Sequence, residues 1–249
     1  MQLARLAGHE ILAVTRGALG VQHKADGSPV SDADRCAEAV VLAGLARLAP
    51  SWPVVAEEAF ARGERPAVGA RWWLVDALDG TREFIAGSGE YTVNIALVEQ
   101  GVPTLGVVLA PALDRCWLGL AGQGAWAETG GEARRRIHVR AVPADGPVAT
   151  LSRHHGEAGR TEVWLAHEGV RARVLAGSSL KFGLIACGEA DVYPRFGRTM
   201  EWDTAAGHAV LAAAGGSVCD LAGGALRYGR PGHENPEFVA RGGQSSGGG

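Results

Sequence analysis

Trp72-Trp73-Leu74-Val75-Asp76-Ala77-Leu78-Asp79-Gly80-Thr81 is an apolar run that ends in two carboxylates three residues apart, followed at once by a glycine and a threonine. The run reads as a buried strand, and Gly80 marks the turn where it stops. Two acids at a strand end, beside a turn with free backbone N–H groups, form a place where hard cations and a phosphate can be held together. Thr81-Arg82-Glu83-Phe84-Ile85 then suits the start of a helix, where unsatisfied N–H groups favour a phosphate. Thr81 would equally serve that helix as an N-cap.

Working outward, the strand candidate Val54-Val55-Ala56 runs into Glu57-Glu58, 19 residues before Asp76 counted from Glu57. If the two strands are neighbours, one of these glutamates meets the aspartates. Several acids in one place repel and need cations to stay ionised together. Oxygen ligands without a His or Cys cluster point to Mg²⁺ or Mn²⁺ rather than zinc. Upstream, apolar spacing predicts helices over 2–19 and about 32–48. Downstream, strands are expected at 92–99, 104–109, 115–120 and 124–128. Pro143-Ala144-Asp145-Gly146-Pro147 reads as a linker, after which short strands (148–152, 173–176, 190–194, 217–220, 237–240) alternate with helices (179–187, 203–214). The first half is therefore an α+β unit over 1–143 and the second an α/β unit over 144–240. The Gly/Ser-rich stretch 241–249 is expected to be a disordered tail.

Composition narrows the function classes. The 249 residues suffice for a sizeable core, and 47% hydrophobic with 20% charged content marks a globular chain. A formal net charge of −3 argues against nucleic acid as the main partner. Cys36, Cys116, Cys187 and Cys219 form no CxxC pair and suit a reducing compartment as small buried side chains. The start, Met1–Arg5, belongs to an amphipathic helix pattern rather than a signal peptide, and no apolar run reaches the ~18 residues of a membrane span. A cytoplasmic location is expected, with peripheral association with the inner membrane left open.

Other polar residues each have two readings. Asp203 follows Trp202 at a helix start and could be an N-cap. Asp34, in Ser31-Asp32-Ala33-Asp34, could be a first-turn helix acid. His154-His155 is a pair without a third partner and does not argue for a metal. Ser178, Lys181 and Arg195 lie in apolar surroundings. Lys181 and Arg195 could bind an anionic group or be a snorkelling lysine and a surface arginine.

Three separated motifs make a pattern in combination: Glu57-Glu58, then Asp76-Ala77-Leu78-Asp79-Gly80-Thr81, then Trp202-Asp203-Thr204-Ala205-Ala206-Gly207. They resemble the inositol monophosphatase superfamily of metal-dependent phosphatases, whose pattern is an acid pair, D-P-(I/L)-D-G-T and W-D-x-A-A-G. The nearer resemblance is to the CysQ-type 3'(2'),5'-bisphosphate nucleotidases. It is carried by Lys24–Val30, Gly80–Ile85, Gly89–Leu97, Gly177–Phe182 and Asp191–Gly197, and it covers about 2 to 240. The resemblance implies a layered αβαβα sandwich of the sugar-phosphatase type with a site between its halves. It implies Glu57, Asp76, the Leu78 carbonyl, Asp79 and Asp203 as ligands of two Mg²⁺, with a third, weaker ion near Glu57. It implies Asp34 and Thr81 as the pair that activates water, and Gly80 and Thr81 as a phosphate cradle. His155, Ser178, Lys181 and Arg195 fall where the nucleotidases hold the nucleotide. The activity implied is hydrolysis of 3'-phosphoadenosine 5'-phosphate to AMP and phosphate, linked to sulfate assimilation. The alternatives are a phosphatase for inositol 1-phosphate or another small sugar phosphate, and a non-catalytic phosphate-binding regulator. A homodimer is compatible with the sequence. Ala77 departs from the pattern, standing where the family has proline.

Overall fold

The computed structural model describes residues 1–15, 22–23, 29–153 and 158–243. The chain begins with α1 (Gln2–Thr15), a ribbon of β1 (Gln22–His23) and β2 (Pro29–Val30), and α2 (Asp32–Leu48). Ala4, Ala7 and Ile11 of α1 and Ala37, Val41 and Leu45 of α2 recur at helical spacing and are buried. Next come β3 (Val54–Ala56), α3 (Glu57–Ala61), β4 (Arg71–Asp79), α4 (Thr81–Ile85), β5 (Thr92–Glu99), β6 (Val102–Ala110), β7 (Arg115–Leu120), β8 (Gly124–Thr129) and β9 (Arg135–Ile137). Strands β3 to β9 form one seven-stranded sheet in chain order, antiparallel except for the parallel β3–β4 pair.

The remaining elements are β10 (Val148–Leu151), α5 (Ala158–His167), β11 (Ala172–Leu175), α6 (Leu180–Ala186), β12 (Val192–Arg195), α7 (Glu201–Ala213), β13 (Ser217–Asp220) and β14 (Phe238–Arg241). They build a five-stranded sheet in the order β11-β10-β12-β14-β13, parallel around β10 and antiparallel around β14.

Five layers result. α1 and α2 cover one face of the large sheet over Trp73, Val75, Val93, Ile95 and Val107. α6 and α7 fill the space between the sheets against Trp72, Leu74, Val108 and Trp117 on one side and Tyr193 and Phe238 on the other. α5 covers the outer face of the small sheet through Leu165. This is the αβαβα sandwich. α7 lies unusually close to the large sheet because Gly106 and Gly119 face it. A Cβ on Gly106 would sit 2.2 Å from the Ala206 carbonyl oxygen, and one on Gly119 would sit 2.4 Å from Val210 Cα.

Several expectations change. Glu57 and Glu58 do not end a strand but open helix α3. The last helix begins at Glu201, two residues before Asp203. α5 has no counterpart among the sequence expectations: among its described side chains only Leu165 is fully buried, too little to print a periodicity. β9 was equally hidden, since two of its three residues are exposed arginines. Residue 241 is not the start of a free tail. Arg241 pairs in β14 with Val192 and Ser217, and the N–H groups of Gly242 and Gly243 donate to Asp191 and Arg140 carbonyls. The expected extension of α1 to residue 19, the segment 24–28, and residues 244–249 lie outside the described residues. Among the described residues no helix is long and apolar enough to cross a membrane.

Candidate active site

The site is made by an irregularity at the end of β4. In a regular strand, residues three apart point to opposite faces, which would separate Asp76 from Asp79. The register prevents that. Asp76 pairs with Asn94 and Asp79 with Thr92, so three steps on β4 match two on β5. The extra residue is a β-bulge, which bends the strand and re-aims the side chains beyond it. Ala77 and Leu78 both pack toward α1 and α2, and both aspartates line the cleft on the opposite side. The Leu78 N–H, at the bulge, donates to Asp76 Oδ1 at 3.0 Å. Gly80 ends the strand at φ 93°, a left-handed conformation that favours glycine.

The other acids arrive from three helices. Glu57 is the first residue of α3, which has no side-chain cap of its own. The buried Glu38 carboxylate of α2 supplies one, accepting the Glu58 N–H at 2.8 Å. Burial pushes Glu38 above the usual carboxylate range, against the pull of that N–H and of Arg62. Asp203, third residue of α7, accepts the Met200 N–H at 2.8 Å. One oxygen from each of Glu57, Asp76 and Asp203 lies within 4.8 Å of the others. Burial first, and then Glu57, Asp79 and Asp203, hold Asp76 well above the usual carboxylate range. Burial, then Asp79 and Glu57, does the same to Asp203. Such a cluster keeps its full charge only beside cations. Its donors are all oxygen, and the three mutually close carboxylates suit a hard divalent cation.

Asp34 sits one turn before Glu38 on α2. Its Oδ2 accepts from the Ser31 N–H and hydroxyl, both at 2.7 Å, which closes a capping box on α2. Its Oδ1 accepts from the Thr81 hydroxyl at 2.9 Å. Asp34 is thus the first-turn helix acid that one sequence reading describes, and it also reaches Thr81 from 47 residues away. Thr81 does not N-cap α4, since that position belongs to Gly80.

A cleft of about 280 Å³ opens over these groups. Glu57, Asp76, Asp79, Thr81, Lys181 and Arg195 all line it. Lys181 does not snorkel. It is buried, its ammonium donates to the carbonyls of Ala176 at 3.1 Å and Ser178 at 2.5 Å, and burial lowers it to about 8. Arg195 is not a surface residue either. It donates to Ser152 Oγ and the Arg198 carbonyl, and its buried Nε has no partner among the described residues. Ser178 takes φ 54° and donates through Oγ to the Asp79 carbonyl at 2.6 Å. His155 lies outside the described residues. Glu38, Asn94 and Ser179 hold the site's acids or their backbone and escaped the sequence reading. The available signals were Glu38 four residues after Asp34 on one helix face and Asn94 inside an apolar strand.

The inositol monophosphatase family model matches residues 1–243. The chain is 48% identical over 229 residues to the 3'(2'),5'-bisphosphate nucleotidase CysQ of Salmonella typhimurium, covering 91% of each. Its fold is similar to the crystal structure of CysQ from Bacteroides thetaiotaomicron, with a TM-score of 0.80, 36% identity and coverage of 96% of this chain and 94% of that one. It is also similar to an inositol monophosphatase of Thermotoga maritima, with a TM-score of 0.77, 26% identity and coverage of 96% and 89%. The bulged carboxylate strand, the two-sheet sandwich and a family match that runs almost end to end agree: the chain belongs to the inositol monophosphatase family, whose members are metal-dependent phosphatases.

Proposed function

We propose that this chain is a Mg²⁺-dependent phosphomonoesterase that removes the 3'-phosphate of 3'-phosphoadenosine 5'-phosphate, yielding AMP and phosphate. The observation that carries the reading is the Glu57–Asp76–Asp203 cluster, with ligand oxygens within 4.8 Å of one another, lining one cleft with Thr81, whose hydroxyl is held by Asp34. Glu57, Asp76, the Leu78 carbonyl, Asp79 and Asp203 would hold two Mg²⁺, with a third near Glu57; Mn²⁺ suits the same donors. Cations held there supply charge neutralisation and polarise the phosphoryl oxygens.

The chain's own residues do the rest. Ser31 fixes Asp34 so that Oδ1 faces Thr81. A water that donates to Thr81 Oγ1 is oriented toward the phosphorus, and its proton passes through the Thr81 hydroxyl to Asp34. The water oxygen bonds to phosphorus as the bond from phosphorus to the ribose 3'-oxygen breaks, in line, and that oxygen leaves as the 3'-hydroxyl of AMP with a proton taken from solvent. The Gly80 and Thr81 N–H groups cradle the phosphoryl group. Lys181 and Arg195, which line the same cleft, supply the positive charge a second phosphate needs. These two cations and the 48% identity to a bisphosphate nucleotidase favour a bisphosphate over inositol 1-phosphate. A cytoplasmic location belongs to the same reading.

The test is phosphate release in Mg²⁺ from 3'-phosphoadenosine 5'-phosphate and from inositol 1-phosphate. A higher kcat/KM on the nucleotide is expected, and preference for inositol 1-phosphate would overturn the substrate. Asp79→Asn is expected to lower kcat/KM by at least ~100-fold, since a lost cation contact removes several kcal/mol of transition-state stabilisation. Unchanged turnover in that variant would remove the catalytic reading.

A further inference from the structure

The acids of the cleft come from separate layers: Asp76 and Asp79 from the large sheet, Asp203 from the helix between the sheets. Repulsion drives them apart, so something must set their separation before any cation arrives. Asn94 is placed to do so. It lies on β5 directly across from Asp76 and is 1% exposed. Its Nδ2 donates to Asp79 Oδ2 at 3.3 Å and to Ser179 Oγ at 2.9 Å. Ser179 Oγ in turn donates to the backbone carbonyl of Asp203 at 2.6 Å. The amide orientation is dictated by its surroundings, because only the NH₂ end can face a carboxylate. The Oδ1 end accepts from the Thr92 hydroxyl at 3.1 Å. Ser178, the neighbour of Ser179, fastens the same loop to the Asp79 carbonyl. A buried amide costs free energy unless its hydrogen bonds are made, and both N–H groups of this one are spent on the seam between the two carboxylate-bearing elements. The neighbouring inward positions of β5, Ala96 and Val98, are apolar, so packing alone does not call for an amide here.

We propose that Asn94, acting through Ser179, is a positioning residue that sets the spacing of Asp79 and Asp203 and so the affinity of the site for divalent cations. The inference rests on reading these acids as a cation site. It predicts that Asn94→Val, which keeps a strand-forming side chain, weakens divalent-cation binding by about 10- to 100-fold, the usual cost of losing a hydrogen bond that orients a metal-ligating carboxylate. Ser179→Ala breaks the same link from the other side, so the double variant is expected to bind no more weakly than the weaker single variant.

The experiment is Mn²⁺ titration of wild type, both single variants and the double variant, followed by electron paramagnetic resonance. Thermal unfolding in EDTA reports the fold, and the Mg²⁺ dependence of phosphate release provides a second readout. Weaker Mn²⁺ binding with an unchanged substrate KM at saturating Mg²⁺ supports the inference. Wild-type Mn²⁺ affinity in the variants overturns it, as does a raised substrate KM with cation affinity intact, which would make Asn94 a substrate contact. If Asn94→Val does not fold, Ser179→Ala decides by the same criteria. Absence of Mn²⁺ binding by the wild type would overturn the cation site itself and the inference with it.

Discussion

Ala77 stands where the resemblance to the family's motif places a proline, and its surroundings say what that difference costs. It lies inside the bulge, between the paired residues Asp76 and Asp79, where the regular ladder is interrupted. A proline is tolerated in a sheet at such a position, and it restricts the preceding residue to extended backbone, which Asp76 already has as part of β4. Ala77 is buried and its Cβ packs toward α1 and α2. Ala77→Pro is therefore expected to fold and to gain about 0.4–1 kcal/mol, by narrowing the unfolded ensemble rather than by adding contacts. Denaturant unfolding measures this. A loss of stability would mean that the Ala77 N–H or its φ is needed as it stands.

At the scale of elements, α7 carries the most varied load. It brings Asp203 to the cleft from its first turn, packs on Gly106 and Gly119 of the large sheet, and buries His208 on its next turns. His208 Nδ1 meets the Tyr228 hydroxyl at 3.0 Å, which donates onward to Thr204 Oγ1 at 3.3 Å; Asn235 Nδ2 donates to the same Thr204 oxygen at 3.0 Å. Burial lowers His208 from 6.5 to about 4. Because the folded value lies below the unfolded one, the unfolded chain binds the extra proton between these two pH values. Stability from this group is present above pH 6.5 and is lost as pH falls toward 4, by on the order of 3 kcal/mol. His208→Gln keeps an N–H donor and cannot titrate. Measured by denaturant unfolding at about pH 7 and about pH 4, the wild type is expected to lose more stability than this variant by about that amount. An equal loss in both would show that His208 does not stay neutral in the fold.

The whole molecule is organised so that the site spans its layers. The core between the sheets contains Val55 and Trp72 from the large sheet, Leu180 and Val210 from the helices, and Tyr193 and Phe238 from the small sheet. The Arg153–Glu90 pair adds a direct tie between the two parts of the chain, and Glu90 also accepts the Gly177 N–H at 2.9 Å. A ligand that binds only where Glu57, Asp76 and Asp203 meet is bound only by the folded chain. Mg²⁺ at about 100 times its Kd should then stabilise by about 2.7 kcal/mol, a rise in Tm of roughly 5–11 °C for a chain of this size. Calorimetry with Mg²⁺ against EDTA is expected to read that rise, and Asp203→Asn is expected to abolish most of it. A Tm indifferent to Mg²⁺ would count against a cation site at this seam.

The sequence by itself determined most of the elements, because their periodicities of about 2 and about 3.6 are local properties: 32–48, 92–99, 115–120 and 217–220 are elements over those same residues. It also carried the three acidic motifs in order, and with them the family. It did not contain the bulge. Asp76 and Asp79 share a face only because β5 supplies two residues against three, and that count exists only between two strands. It did not contain the setting of Glu57, whose helix is capped by Glu38 from 20 residues away. Nor did it contain the Asn94–Ser179 link, which joins residues 85 apart. Tertiary structure decided these because hydrogen-bond partnership and burial belong to what covers a residue, whereas spacing belongs to the chain alone.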